Sequence, residues 1–275
     1  IACNESGQKI PMLWSQVLEE ASALQHLLDQ NGLKSGDRIV SFLPNKPEAS
    51  IAFLASAASG LIWSSCAPEF GSASVIDRVK QIKPKVLLAV DQYVYGGKTF
   101  DRMTALKEII QALPELELLI LVNTSKDGDW TEKKIKVFYW EDIIRTKPIK
   151  PLRFERVPFD HPLWILYSSG TTGLPKAITH SHGGMLLEHL KYVHFHNDVK
   201  PGDTFFWFTT TGWMMWNYLH AAWLAGAILI LYDGHPAFPD AKKLWELAEH
   251  LSITHFGCGA PYLHQSMNSR LAIPL

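Results

Sequence analysis

Hydrophobic and polar positions follow two periods along this chain. From residue 14 to 32, Val17, Leu18, Ala21, Leu24, Leu27 and Leu28 recur at helical spacing. Ser15 is a candidate N-cap for that helix and Gly32 its stop signal. Short apolar runs then alternate with helical stretches. Strands are predicted over 38–43, 61–64, 85–90 and 116–122, and helices over 47–59, 74–82 and 101–113, with Pro47 in a first turn. A polar loop over 123–135 precedes a short strand at 135–139. Residues 145–162 carry Pro148, Pro151, Pro158 and Pro162 and read as a connector. Beyond it, strands are predicted at 163–167, 177–180, 204–208, 227–231 and 252–255, with helices at 184–193, 216–224 and 240–250. This alternation predicts an α/β fold of layered, parallel-rich sheets with covering helices. The connector suggests two subdomains, residues 1–150 and 151–275.

Composition narrows the function classes. The chain has 275 residues, 47% hydrophobic and 19% charged, with a formal net charge of −1. That balance gives no electrostatic case for nucleic acid or an anionic membrane surface. Cys3, Cys66 and Cys258 are widely spaced and odd in number and show no disulfide framework or zinc ligand spacing, so a reducing compartment is the simple reading. The longest apolar stretch, residues 221–232, is broken by Gly226 and falls short of the roughly 18 residues of a spanning helix. No signal peptide opens the chain, so a cytosolic setting is expected. The chain opens on Ile1 and stops at Leu275 with no ending signal, and reads as a piece of a longer protein.

Candidate chemistry concentrates at residues 167–176, YSSGTTGLPK, directly after an apolar run. A strand followed by glycines, hydroxyls and a lysine is a shape for holding phosphate. Gly170 and Gly173 permit positive φ and close approach of backbone N–H groups to an anion. Ser168, Ser169, Thr171 and Thr172 add hydroxyl donors, and Lys176 adds positive charge. The G-x-x-x-x-G-K-[ST] loop of common ATPases is absent. Two other readings of the stretch are a flexible surface loop and a Ser–Lys hydrolase pair. The second lacks a G-x-S-x-G elbow.

Tyr167 to Lys176 resembles the phosphate loop of the adenylate-forming superfamily, which includes acyl-CoA synthetases, luciferases and peptide adenylation domains. Gly36-Asp37-Arg38-Ile39-Val40, with Leu43-Pro44-Asn45 and Pro47-Glu48, resembles the opening β-α unit of these enzymes. His180-Ser181-His182-Gly183-Gly184 resembles the segment on the C-terminal side of their loop. Within the superfamily, THSHGGMLLEHLK (179–191), PGDTFFWFTTTGWMMWNY (201–218) and GAILILYDGHPAFPD (226–240) are most similar to the acetoacetyl-CoA synthetases.

The resemblance implies part of a large N-terminal AMP-binding domain and a two-step ligation using ATP, Mg²⁺ and coenzyme A. Acetoacetate would first become an acyl-adenylate, then a thioester. Ser168, Ser169, Gly170, Thr171, Thr172, Gly173 and Lys176 would hold the ATP phosphates. Trp213, Met214, Met215, Trp216 and Asn217 would line the acyl pocket, with Asn217 or a neighbouring threonine donating to the keto oxygen. Plain core packing is the competing reading for these residues. Lys98, in Tyr95-Gly96-Gly97-Lys98, stands where related enzymes place an arginine against CoA phosphate, and a solvated surface lysine is the alternative. The superfamily's adenylation lysine and metal-binding Glu come later than any motif here, so no metal ligand is assigned and this chain alone is expected to be inactive. Another short-chain acyl-CoA synthetase, or a non-catalytic binding module, are the alternatives for function. His180, His182, His189, His194 and His196 lack a recognised zinc spacing and read as packed or exposed helix-face residues. Cys258 reads as a small buried hydrophobe.

Overall fold

The computed structural model describes residues 1–124, 130, 135–146, 150–168, 173–269 and 271. The chain divides into two compact units. One comprises Leu13–Tyr93 and Asp101–Met185, the other Ile1–Met12, Val94–Phe100 and Leu186–Leu275. The proline-bearing connector at 145–162 therefore lies inside one unit instead of dividing two. The reason is the strand beyond it: Trp164 pairs in parallel with Trp63, returning the chain to the sheet it came from.

The first of these units holds the seven-stranded sheet. Its elements in chain order are α1 (Trp14–Gln30), β3 (Arg38–Phe42), α2 (Pro47–Ala58), β4 (Ile62–Cys66), α3 (Ser72–Val79), β5 (Val86–Ala89), α4 (Met103–Ala112), β8 (Leu118–Leu121), β9 (Lys136–Tyr139), α5 (Trp140–Arg145), β10 (Pro162–Ser168) and β11 (Lys176–Ser181). The strand order is β11-β10-β4-β3-β5-β8-β9. All pairings are parallel except β10 with β11. The runs VLLA of β5 and LLIL of β8 are buried throughout, as parallel strands covered on both faces require. β11 is the edge, and its first four residues are exposed. Phe53 of α2 lies 6.1 Å from the ring of Trp63 and 5.6 Å from that of Trp164, fastening β4 and β10 to the covering helix.

The α1 cap differs from expectation. Leu13 is the capping position, its N–H donating to Oε1 of Gln16 at 3.0 Å, so Ser15 sits inside the first turn. Gly32 closes the helix as expected, with φ at +78°.

The five-stranded unit contains β1 (Ala2–Asn4), β2 (Lys9–Ile10), β12 (Thr204–Trp207), α7 (Met214–Leu219), β13 (Ile228–Asp233), α8 (Lys243–His250), β14 (His255–Gly257) and α9 (Ala260–Asn268), in the strand order β14-β12-β13-β1-β2. Alternate residues feed opposite layers. Phe205, Leu229 and Leu231 pack with Tyr218, Leu219 and Ala222, while Phe206, Ile230 and Tyr232 pack with Leu244, Leu247 and Tyr262. The sequence pattern missed β1 and β2, misplaced β14 by a few residues, and did not resolve the two-stranded sheet of β6 (Gln92–Tyr95) and β7 (Lys98–Asp101). The helix α6 (His182–Lys191) comes directly after β11 and ends in a π-helical turn, Tyr192–His196.

Candidate functional site

Pairing of β10 with β11 fixes both ends of the glycine-rich loop. Tyr167 faces Ala177, and Ser168 faces Lys176, the first and last described positions of the phosphate-holding set standing opposite one another. Ser169, Gly170, Thr171 and Thr172 lie outside the described residues. The exit of the loop is held from below: Nε2 of Gln81 donates to the Pro175 carbonyl at 2.8 Å. Lys176 is exposed on the edge strand. Burial, the largest influence on the Tyr167 phenol, raises its pKa and keeps it neutral. Gly173 is not in the left-handed region, and a Cβ there would meet nothing within 4 Å. The positive φ expected at Gly173 is absent, so its backbone here is one that other residues can adopt.

The segment after the loop has a steric reason for one of its glycines. The N–H of His182 donates to the His161 carbonyl at 2.9 Å, and that of Gly183 to the Phe159 carbonyl at 2.9 Å. A Cβ at Gly183 would stand 2.1 Å from the Phe159 ring. His161 and His182 lie ring to ring at 5.7 Å, and burial, then the charge of His161, lowers the His182 pKa. Neither the pairing nor His161 was visible in sequence, since the two residues come from separate strand ends. His180 accepts from Nε1 of Trp164 at 2.9 Å, a structural role.

In the five-stranded unit, the Thr209–Asn217 stretch divides by exposure. Trp213 and Met214 are 61% and 55% exposed, whereas Trp216 and Asn217 are 0% and 1%. Trp213 caps α7, and the helical phase then turns Trp216 inward. The Trp216 ring lies 4.2 Å from that of His220, and Met215 packs on the cluster around Phe205 and Leu219. Trp216 is thus a core residue, because a helix starting at Met214 cannot point 213, 214 and 216 the same way. Asn217 is different: the oxygen and nitrogen of its amide are buried without a hydrogen-bond partner among the described residues. Burial is also the main reason why the His220 pKa falls to about 4, with its Nδ1 2.7 Å from the Trp216 carbonyl.

Lys98 is exposed at the start of β7 in the same unit. Cys258 is half-buried, and burial raises its pKa, which disfavours the nucleophilic thiolate. Among the described residues no group of three or more His, Cys, Asp or Glu side chains is placed to hold a metal ion. Among them, too, no helix is long and apolar enough to cross a membrane.

Comparison with known proteins adds the lineage. The family model described as AMP-binding enzyme matches residues 5–273. Acetoacetyl-CoA synthetase of Danio rerio is 40% identical over 270 residues, 95% of this chain and 40% of the relative. That of Rhizobium meliloti is 41% identical over 254 residues, 92% of this chain and 39% of the relative. Malonamoyl-CoA synthetase of Penicillium aethiopicum is 32% identical over 278 residues, 95% of this chain and 38% of the relative. The solved acetoacetyl-CoA synthetase from Streptomyces lividans superimposes with a TM-score of 0.92 at 43% identity, covering 98% of this chain and 41% of that one. The chain thus spans about 40% of the length of the curated relatives it matches. With the family match running nearly end to end and the same layered fold in a solved relative, the chain belongs to the AMP-binding enzyme family.

Proposed function

We propose that the full-length protein carrying this chain is an AMP-forming acid–thiol ligase that joins acetoacetate to coenzyme A. The observation that carries the reading is the β10–β11 pairing, which sets Ser168 opposite Lys176 at the two ends of the phosphate-holding set, in a chain 43% identical to a solved acetoacetyl-CoA synthetase.

In the first step a carboxylate oxygen of acetoacetate bonds to the α-phosphorus of ATP, and the bond to the bridging oxygen breaks, releasing pyrophosphate. Charge gathers on the departing phosphates. Ser168, Ser169, Thr171 and Thr172 donate hydroxyls to them, Gly170 and Gly173 give backbone access, and Lys176 adds a cation. In the second step the CoA sulfur bonds to the acyl carbon and AMP leaves. Lys98 meets a CoA phosphate in this reading. Magnesium would accompany the ATP phosphates; among the described residues no group of three or more His, Cys, Asp or Glu side chains is placed to hold it, and no step here is assigned to it.

Acetoacetate and malonamate, the acids implied by the relatives' names, both carry a carbonyl at C3. Trp213 and Met214 are the exposed apolar side chains of the acyl segment, and Met215 completes its apolar wall in this reading. The buried amide of Asn217 supplies a donor without a competing partner, suited to that C3 carbonyl. Trp216 supports the helix from the core. A short β-carbonyl acid other than acetoacetate is the second reading, favoured by the malonamoyl-CoA synthetase similarity. The setting proposed is the cytosol. The test is a panel of short acids assayed for acid-dependent pyrophosphate release by the full-length protein. Acetoacetate is expected to lead, and acetate turning over equally well would remove the β-carbonyl requirement.

A further inference from the structure

Glu5 is a buried carboxylate, 7% exposed, that neither the loop nor the acyl segment uses. Its oxygens accept three main-chain N–H groups: Gly96 at 2.9 Å, Gly97 at 2.6 Å and His235 at 2.9 Å. All four residues belong to the five-stranded unit. Gly96 and Gly97 have φ of +60° and +72°, so two consecutive left-handed residues aim two consecutive N–H groups at one anion. Such a concave pair of amides is an anion nest, and here the chain's own carboxylate fills it.

The surroundings are shaped for this contact. A Cβ at Gly97 would stand 2.5 Å from the Phe238 ring, and one at Gly234 would stand 2.7 Å from Cβ of Glu5. Tyr95 meets His235 edge-on at 5.0 Å. Nζ of Lys243 donates to the Glu5 carbonyl at 2.8 Å, fixing the backbone from which the carboxylate projects. A Gly-Gly turn is entropically costly to hold in one conformation. Three hydrogen bonds to a carboxylate are strong enough to hold it.

Lys98 comes directly after Gly97. It is exposed, and its ammonium makes no hydrogen bond or ion pair with another described residue. We infer that Glu5 is a positioning residue for coenzyme A: by pinning the Gly96-Gly97 turn it sets where Lys98 presents its charge. This rests on the ligase reading and on Lys98 meeting a CoA phosphate. Glu5 itself does not touch substrate; its oxygens are enclosed and already bonded.

The test uses the full-length enzyme with two readouts, acetoacetate-dependent ATP–pyrophosphate exchange, which needs no CoA, and the KM for CoA. Glu5→Gln keeps the side chain's shape but turns one acceptor into a donor facing an N–H. The expected result is a rise of about tenfold in the CoA KM, the size of one buried amide left unpaired, with exchange at the wild-type rate. In a Lys98→Ala background, Glu5→Gln is expected to add almost nothing, because its effect runs through Lys98. Gly97→Ala, which leaves Glu5 intact but forces the turn off the Phe238 ring, is expected to raise the CoA KM as well and covers the case in which Glu5→Gln fails to fold. An unchanged CoA KM in Glu5→Gln or Gly97→Ala overturns the inference. So does a parallel fall in exchange, or an effect that simply adds to that of Lys98→Ala. Wild-type enzyme with no acetoacetate-dependent exchange would instead remove the ligase reading, whatever the variants do.

Discussion

Two turns in this chain end on an exposed lysine, and they are held in opposite ways. The turn between Ser168 and Lys176 is held at its ends, by the antiparallel pairing of β10 with β11 and by Gln81 on the Pro175 carbonyl. The turn between Tyr95 and Lys98 is held at its centre, by the Glu5 carboxylate on two glycine N–H groups. In the first, only the ends are fastened among the described residues, which suits the proposed clamp that takes up and releases phosphate. In the second, the backbone donors are already used, so the turn serves as a fixed platform and only the lysine remains to bind. Glycine content alone does not separate these cases. In the second turn the anion for the backbone N–H groups comes from the chain itself; in the proposed clamp it would come from solution.

The largest expected effect is on the clamp. Lys176→Ala should lower pyrophosphate exchange by about 10²-fold, the usual cost of removing one charge-stabilising donor. Because Lys176 is an exposed edge residue, the melting temperature should hardly move. A loss of activity accompanied by unfolding would mean that Lys176 is structural. Next comes the anchoring of the clamp. Trp164→Ala removes the ring that packs on Phe53 and donates to His180, and should cost about 3–5 kcal/mol in chemical denaturation. A cost below about 1 kcal/mol would show that β10 is not what fixes the loop.

A smaller effect concerns acid stability of the five-stranded unit. His220 is fully buried and its pKa is depressed from 6.5 to about 4, chiefly by burial. The unfolded chain therefore binds a proton that the folded chain refuses in this window. Stability should fall as pH drops from about 6.5 towards 4, by at most about 3 kcal/mol, and be unaffected by this group above that range. His220→Gln should flatten the melting temperature between those pH values, and an unchanged slope would show that His220 is not the group responsible. The smallest effect expected is in amide exchange. The Gly96 and Gly97 amides should be protected in wild type and should exchange about tenfold faster in Glu5→Gln, as measured by hydrogen exchange. Equal rates would dissolve the contrast between the two turns.

The proposed clamp could be read from the sequence because everything that suggests it is local: an apolar strand, then hydroxyls, glycines and lysine within ten residues. The platform could not, because Glu5 lies 91 residues before Gly96 and 230 before His235, and no period or motif links them. The same distance hid β1, a three-residue strand paired in parallel with β13, near the other end of the chain, as well as with β2. The central strands β5 and β8 were read correctly because full burial on both faces writes unbroken apolar runs. In the proposed acyl segment, residue type is open to sequence reading and orientation is not. Trp213 and Trp216 look equivalent in GWMMWN, and only the start of α7 at Met214 decides that one faces out and the other in.

The ligase reading turns on one assay: exchange of labelled pyrophosphate into ATP by the full-length protein, with acetoacetate and without CoA. Exchange that depends on acetoacetate and collapses in Lys176→Ala is the result expected from a phosphate clamp on β10–β11. Exchange that is absent with acetoacetate, or that survives Lys176→Ala undiminished, would contradict it.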